Sequence, residues 1–191
     1  MSFGGWTVDV NVGGAPQKVA SFMTELADTK LGAQYKDIAY IGSQLANGEN
    51  HALLAEQTVV TGRDTKNVVL CVINERPEGL SLVGIDRLVE SGAPMGGTVV
   101  DVKTEIPAEA MDVWNKAFEG FTGSKVVPFA LLGTQLVNGT NWIFAVEMAT
   151  VTPDPVKKVA IVTINDKEKT VHFADMLRNR QNASLGYSFT W

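Results

Sequence analysis

Hydrophobic and polar positions follow first the period of a strand, then that of a helix and then that of several strands, and this order occurs twice along the chain. Residues 6–10 and 99–102 are short and rich in valine, which predicts a strand at the start of each half. The segments that follow have the spacing of a helix with a single apolar face. The apolar residues of these segments are Val19, Phe22, Met23 and Leu26 in the first half, and Ala110, Val113, Trp114 and Ala117 in the second.

Four strand-like segments come after the helix in the first half, and the second half has counterparts of them. They are residues 35–46, 49–60, 67–74 and 80–85. Asn47-Gly48 and Asn138-Gly139 lie between the first two segments of each half, and Asn-Gly is a strong signal for a two-residue type I′ hairpin turn. The pattern predicts an α+β fold, in which the antiparallel sheet of each half is wrapped on one α-helix.

The two halves are copies of one another. Residues 42–50, with the sequence GSQLANGEN, return at positions 133–141 as GTQLVNGTN. A repeat of this length indicates two structural units. We therefore predict two domains, residues 1–91 and 92–191, joined by the turn-rich segment 90–94. Residues 177–191 have no full counterpart in the first copy, and they either add a strand or dock at the domain junction.

Composition narrows the functional classes. The formal net charge is −5, the sequence pI is about 5.0 and no basic run occurs, so nucleic acid is not an expected partner. No apolar segment reaches the ~20 residues of a membrane span, so we expect no membrane partner. Because the N-terminus lacks the features of a signal peptide, we expect a cytoplasmic protein, the alternative being a mature form secreted from a bacterium.

Signals for catalysis and metal binding are weak in this sequence. The two histidines, His51 and His172, are not repeated, since they align with Trp142 and Ser81. The single cysteine, Cys71, aligns with an apolar residue and is predicted to be a small core residue. No strong metal-ligand spacing, phosphate loop or nucleophile motif occurs. We therefore expect no enzyme, no metal and no cofactor. A catalytic pocket in the concave face of a sheet remains an alternative.

The hairpin of the second half resembles the central motif of the cystatins, which are inhibitors of papain-like cysteine proteases. Their motif is Gln-x-Val-x-Gly, commonly followed by Thr-Asn and an aromatic residue. The matching residues are Gln135, Leu136, Val137, Asn138, Gly139, Thr140, Asn141 and Trp142. The first half has Gln44, Leu45, Ala46, Asn47 and Gly48 at the equivalent positions. It departs from the motif at Ala46 and at His51, which stands in the aromatic position.

Two further features of the cystatins have partial counterparts here. Family members carry a glycine near the start of the domain, and Gly4, Gly5, Gly96 and Gly97 occupy that place. Family members also have an apolar Pro-Trp tip on the last hairpin. In this chain Arg76 and Pro77 keep only the proline, and Lys167-Glu168 keeps neither residue.

The resemblance implies a tandem, disulfide-free inhibitor that blocks the cleft of a papain-like cysteine protease reversibly with its hairpin tips. The second hairpin is expected to be the stronger, because Val137 offers two methyl groups that Ala46 lacks, about 1–1.5 kcal/mol of apolar contact. Two other functions remain open: a non-inhibitory protein-binding module, and an inhibitor of another protease class that uses the domain junction. Gln44 and Gln135 fit equally well a structural role at the strand end. The oligomeric state is open.

Overall fold

The structure, a computed structural model, describes residues 5–60, 65–92, 97–177 and 188–191. The chain forms two compact units, Met1–Ser91 and Gly92–Trp191. Each unit contains one antiparallel sheet. No helix within the described ranges has the length and apolar character that a membrane span requires.

The first unit starts with a strand and a helix and continues with four strands. The strands are β1 (Trp6–Val12), β2 (Ala33–Leu45), β3 (Glu49–Val59), β4 (Thr65–Arg76) and β5 (Gly79–Glu90). The helix α1 (Gln17–Leu26) lies between β1 and β2 and continues as a π-helical segment, Ala27–Leu31. Every strand pairs with its neighbour in sequence, so the sheet order is β1-β2-β3-β4-β5. This order places the β2–β3 turn and the β4–β5 turn at one end of the sheet.

The second unit has the same order of elements and one additional strand. Its elements are β6 (Thr98–Lys103), α2 (Ala108–Ala117), β7 (Ser124–Val137), β8 (Gly139–Thr150), β9 (Lys157–Asn165), β10 (Thr170–Asp175) and β11 (Ser188–Thr190). The sheet order is β11-β10-β9-β8-β7-β6. The C-terminal segment thus adds a strand to this sheet, which was one of the two alternatives predicted for residues 177–191. Residues 178–187 of that segment lie outside the described part of the chain.

Each helix packs its apolar face on one region of its sheet. In α1 the buried residues are Val19 and Met23, and the core around them comprises Leu53, Ala55, Val69, Cys71 and Ile73. In α2 the indole of Trp114 lies at the centre of an aromatic group: its ring centroid is 4.1 Å from that of Phe118 and 5.2 Å from that of Phe144. The apolar spacing along both helices therefore identified residues that bury themselves against the sheets.

The predicted α+β class is wrong, because strands dominate both units. Strands make up 61% of the structure and helices 14%, and each α-helix has ten residues. A helix of ten residues is about 15 Å long, whereas a strand of twelve residues such as β4 extends about 40 Å. A helix of this length covers only part of a sheet face, so the sheets are not wrapped on the helices. In the part of the chain that the structure describes, the fold is mainly β, with two antiparallel sheets and two short α-helices.

Cys71 lies in the core of the first unit, which confirms its prediction as a small core residue. Burial raises the pKa of its thiol to about 12, and the charges of Asp37 and Asp86 add to the effect. Because only the thiolate reacts, we expect no labelling of the native protein by Ellman's reagent at about pH 8, and complete labelling after denaturation. Rapid labelling of the native protein would contradict a buried thiol.

Candidate functional site

The candidate site is the end of each sheet where two hairpin turns lie side by side. In the first unit the pair Leu45–Glu49 closes the β2–β3 hairpin. The guanidinium Nε of Arg76, at the end of β4, donates to the backbone oxygen of Asn47 over 3.0 Å. A Cβ built on Gly48 would lie 2.3 Å from the backbone oxygen of Glu75. Glycine is therefore required at position 48 for the contact between the two turns.

The second unit brings the equivalent segments together. A Cβ built on Gly139 would lie 2.5 Å from the Cβ of Lys167, which belongs to the β9–β10 turn. The side-chain amide of Asn138 donates to Glu168 over 3.2 Å. Within each unit the structure thus places the two predicted hairpin segments next to one another. We refer to this end of the first unit as the first tip and to that of the second unit as the second tip.

The glycine segments near the start of each copy lie beside the tips as far as they are described. Gly5 directly precedes Trp6, which is in register with Gln44. Gly97 directly precedes Thr98, which is in register with Gln135. Gly4 and Gly96 lie outside the described residues.

The two hairpin turns differ in conformation. In the first unit Asn47 and Gly48 both have positive φ, 47° and 104°, as a type I′ turn requires. The turn is nevertheless longer than the predicted two residues, because it also includes Ala46, whose N–H donates to the Gly48 oxygen over 3.1 Å. In the second unit Gly139 has a φ of 90°, while Asn138 is not among the described residues with positive φ. The prediction of a type I′ turn at Asn138-Gly139 is therefore wrong, since that turn needs positive φ at both residues.

A row of amide side chains, which we call the polar ladder, crosses three strands behind each tip. In the first unit Asn50 donates to Gln44 over 3.1 Å, and Asn74 donates to Asn50 over 2.7 Å. The second unit repeats both bonds with the residues Asn141, Gln135 and Asn165, at 3.0 and 2.9 Å. Gln44 and Gln135 thus have a structural role at the strand end.

The last residue of each ladder also fixes the turns. Asn165 is 4% exposed. Its side-chain oxygen accepts the backbone N–H groups of Lys167 and Glu168 over 3.0 and 2.7 Å, and its amide donates to the backbone oxygen of Asn138 over 3.3 Å. Because one buried side chain bonds to both turns, it holds them in one relative position. The ladder was not identified from the sequence, although all three of its residues are identical in the two copies.

Apolar side chains project into solvent at the tips, mainly from the strand ends that lead into these ordered turns. Leu136 is 73% exposed, Leu45 is 66% exposed and Val137 is 44% exposed. Ala46 is exposed as well. Exposed aliphatic residues on a fixed turn form a small apolar surface that a partner can bury.

Trp142 does not extend this apolar surface. It is half-buried against the core of the second unit, and its indole N–H donates to Asp166 over 3.3 Å. The neighbouring turns are polar: Arg76 and Pro77 in the first unit and Lys167 and Glu168 in the second are exposed. The exposed apolar residues of the second tip are therefore Leu136 and Val137, with charged residues beside them.

A second cluster lies on the first unit around His51, which is 4% exposed. One ring nitrogen, Nδ1, is 3.0 Å from the Tyr40 hydroxyl, and the other, Nε2, is 3.0 Å from a carboxylate oxygen of Glu75. The ammonium of Lys18 bonds to the other oxygen of Glu75. These hydrogen bonds, that of Lys18 before that of His51, lower the pKa of Glu75. This cluster was not identified from the sequence, because its members come from four different elements.

An open cleft lies elsewhere on the second unit. Its lining includes Phe121, Phe173, Lys158 and Asp175, and the described residues that line it include neither a histidine nor a cysteine. Asp175 is the one carboxylate among the described lining residues, so no pair of carboxylates is found there.

No family model matches the chain, and neither a curated protein nor a solved structure matches it.

Proposed function

We propose that this chain is a reversible inhibitor of papain-like cysteine proteases that occludes the active-site cleft with the second tip. The observation that supports the proposal is the exposure of Leu136 and Val137 at the end of β7, where the strand enters a turn that the polar ladder holds in place. The resemblance of residues 135–142 to the cystatin hairpin supplies the class of target. The tip acts by filling the cleft, and it needs neither a cofactor nor a reactive side chain.

The exposed leucine is the residue expected to contribute most to binding. Leu136 is 73% exposed in the free chain. Burial of a leucine side chain in an apolar subsite contributes about 1.5–3 kcal/mol. A turn that is already ordered loses little conformational entropy on binding, so more of this free energy remains as affinity. The buried side chain of Asn165 supplies that order, because it bonds to both turns of the tip.

The first tip is a weaker candidate for the same role. It exposes Leu45, but Ala46 stands where the second tip has Val137. Arg76 also bonds to its turn, so a guanidinium lies beside the apolar residue. Burying that charge on binding costs free energy unless the partner supplies an acceptor. We expect the second tip to dominate inhibition.

A second candidate function is that of a protein-binding module without inhibitory activity. The observation that favours it is the polar character of the adjoining turn, where Lys167 and Glu168 are exposed beside the apolar residues. Two apolar side chains form a wedge that is narrow for the active-site cleft of a protease. A partner with a small apolar depression and charged residues around it would fit this surface equally well.

Titration of papain with the full chain tests the proposal. We expect inhibition by the wild-type chain, with a break at one chain per enzyme if one tip acts and at half a chain per enzyme if both act. Leu136→Glu is expected to raise the inhibition constant by about 10–100-fold, since it removes an apolar contact and places a charge in the cleft. Gly139→Glu is a less clean variant, because its Cβ would collide with Lys167.

Val151→Glu provides the matched control for Leu136→Glu. Val151 is also 73% exposed, and it follows the opposite end of β8, away from the second tip. It is expected to leave inhibition unchanged. A wild-type chain that does not inhibit papain at micromolar concentration overturns the inhibitor proposal, as does equal inhibition by Leu136→Glu and the wild type. The binding module then remains, and immobilised wild-type and Leu136→Glu chains test it by their capture of partners.

A further inference from the structure

Three groups that bind metal ions converge on one face of the first sheet. Glu49 and His51 are two residues apart on β3, so their side chains project from the same face. Glu75 on β4 is directly opposite Glu49 in the strand register. One potential ligand atom of each residue lies within 4.8 Å of those of the other two.

The histidine of this group is held in an orientation suited to ligation. Its Nδ1 is 3.0 Å from the Tyr40 hydroxyl. In the free chain Nε2–H donates to the ionised carboxylate of Glu75, and Nδ1 accepts from the Tyr40 hydroxyl. When a metal ion binds, the ring takes the other tautomer: Nδ1–H donates to the Tyr40 oxygen, and Nε2 offers its electron pair to the ion. A hydrogen bond from the second ring nitrogen is the usual support of a metal-bound histidine, because it fixes the tautomer and the ring orientation.

The carboxylate of Glu75 is arranged to bind two cationic groups at once. Lys18 bonds to its Oε1, while Oε2 is 3.0 Å from Nε2 of His51. A metal ion between Nε2 and Oε2 would replace only the hydrogen bond between them, and the ammonium would keep its own oxygen. A glutamate side chain is ionised at neutral pH, as a metal ligand must be.

The second unit shows that side chains can link the strands equivalent to β3 and β4 without two glutamates and a histidine. The equivalent residues of the second unit are Thr140, Trp142 and Asp166. There the indole donates to Asp166 over 3.3 Å, and the Thr140 N–H donates to it over 2.8 Å. The first unit instead places Glu49 opposite Glu75. Two like charges at directly opposed positions destabilise a sheet unless a cation lies between them, and Lys18 offsets only one of them.

We propose that the first unit binds a divalent transition-metal ion of the zinc class through Nε2 of His51 and the carboxylates of Glu49 and Glu75. Imidazole nitrogen and carboxylate oxygen are ligands of Zn²⁺, and a tetrahedral site places neighbouring ligand atoms about 3.3 Å apart. The 3.0 Å between His51 and Glu75 is close to that spacing, and Glu49 closes on the ion by rotation of its side chain. Water completes the coordination. The site is independent of the proposed function of the second tip.

Calorimetric titration of the metal-stripped full chain with zinc chloride tests the site. We expect one ion per chain, bound at micromolar or lower concentration. Glu49→Gln is expected to weaken binding by at least about tenfold, because it removes one charged ligand. His51→Gln and Glu75→Gln are expected to abolish saturable binding.

Glu56→Gln is the matched control, because Glu56 lies on the same strand and pairs with Lys66, away from the three ligands. It removes the same charge and is expected to leave zinc affinity unchanged. His172→Gln controls for binding at the other histidine and is expected to have no effect. Absence of saturable binding by the wild type, or equal affinity in Glu49→Gln and the wild type, overturns the proposal. Because Glu49 is only partly buried, this variant keeps the test valid even if His51→Gln fails to fold.

Discussion

Replacing Asn165 by alanine is expected to lower the free energy of unfolding of the second unit by about 2–4 kcal/mol, because several buried polar groups lose their partner at once. The Asn165 side chain donates to Asn141 and to the backbone oxygen of Asn138, and it accepts the N–H groups of Lys167 and Glu168. Alanine can make none of these bonds. The loss is therefore larger than that of a single hydrogen bond, and it is concentrated at the tip.

The measurement is denaturant unfolding of the full chain combined with hydrogen exchange by mass spectrometry. We expect faster exchange in the β7–β8 and β9–β10 turns of Asn165→Ala, while the first unit is unchanged. Asn115→Ala is the control, because Asn115 is exposed on α2 and its replacement removes an amide of the same size. That variant should change stability by about 0.5 kcal/mol or less. Wild-type stability in Asn165→Ala would show that the ladder does not hold the tip.

The order of elements in each unit could be predicted from the sequence, while the fold class could not. The apolar positions around Val19 and Trp114 indicated helices with one buried face, and helices are found there. A periodic pattern reports which face of a helix is buried but not how much of a sheet that helix covers. The covered share depends on strand length, and β5 continues to Glu90, beyond the predicted end at residue 85. Longer strands shift the balance of the structure toward β.

The positions of the hairpin turns at the candidate site could be predicted from the sequence, whereas the side-chain contacts that hold the turns together could not. The repeated Asn-Gly sequence marked where the chain turns, because glycine is needed where φ is positive and where backbones approach closely. The sequence did not show that Asn74 and Asn165 bond to the turn at the end of the neighbouring strand. Such contacts join residues far apart in the chain, and no local sequence pattern indicates which residue an asparagine in a strand bonds to. The same holds for His51 and Glu75.

The two copies together resolve part of this ambiguity. A residue that is identical in both units and makes the same contact in both has a role in the shared framework, as Asn50 and Asn141 do. A residue that differs between the units is a candidate for a role specific to one of them, as His51 and Trp142 are. By this criterion the ladder belongs to the framework, and the exposed Val137 and the His51 cluster distinguish the two tips.

Replacing Gly133 by alanine is expected to destabilise the second unit by about 1–3 kcal/mol and to weaken the attachment of its edge strand β6. A Cβ at position 133 would lie 2.2 Å from the backbone oxygen of Val99 and 3.1 Å from the Cα of Val100. Both atoms belong to the backbone of β6, so no rotation of a side chain relieves the collision. The register of β6 on β7 shifts at this place, between Val100 and Lys103, which leaves few pairs to retain the strand.

Hydrogen exchange of the β6 amides in the full chain, together with denaturant unfolding, measures this effect. Gly120→Ala provides the comparison: Gly120 has a φ of 71° but no atom within 4 Å of its Cβ position. That variant is expected to cost only the conformational penalty of about 1–2 kcal/mol, with β6 exchange unchanged. Since β6 leads directly to the tip through the pair Thr98–Gln135, its release should also reduce the order of the second tip. Protection of β6 in Gly133→Ala equal to that of the wild type would contradict the steric argument.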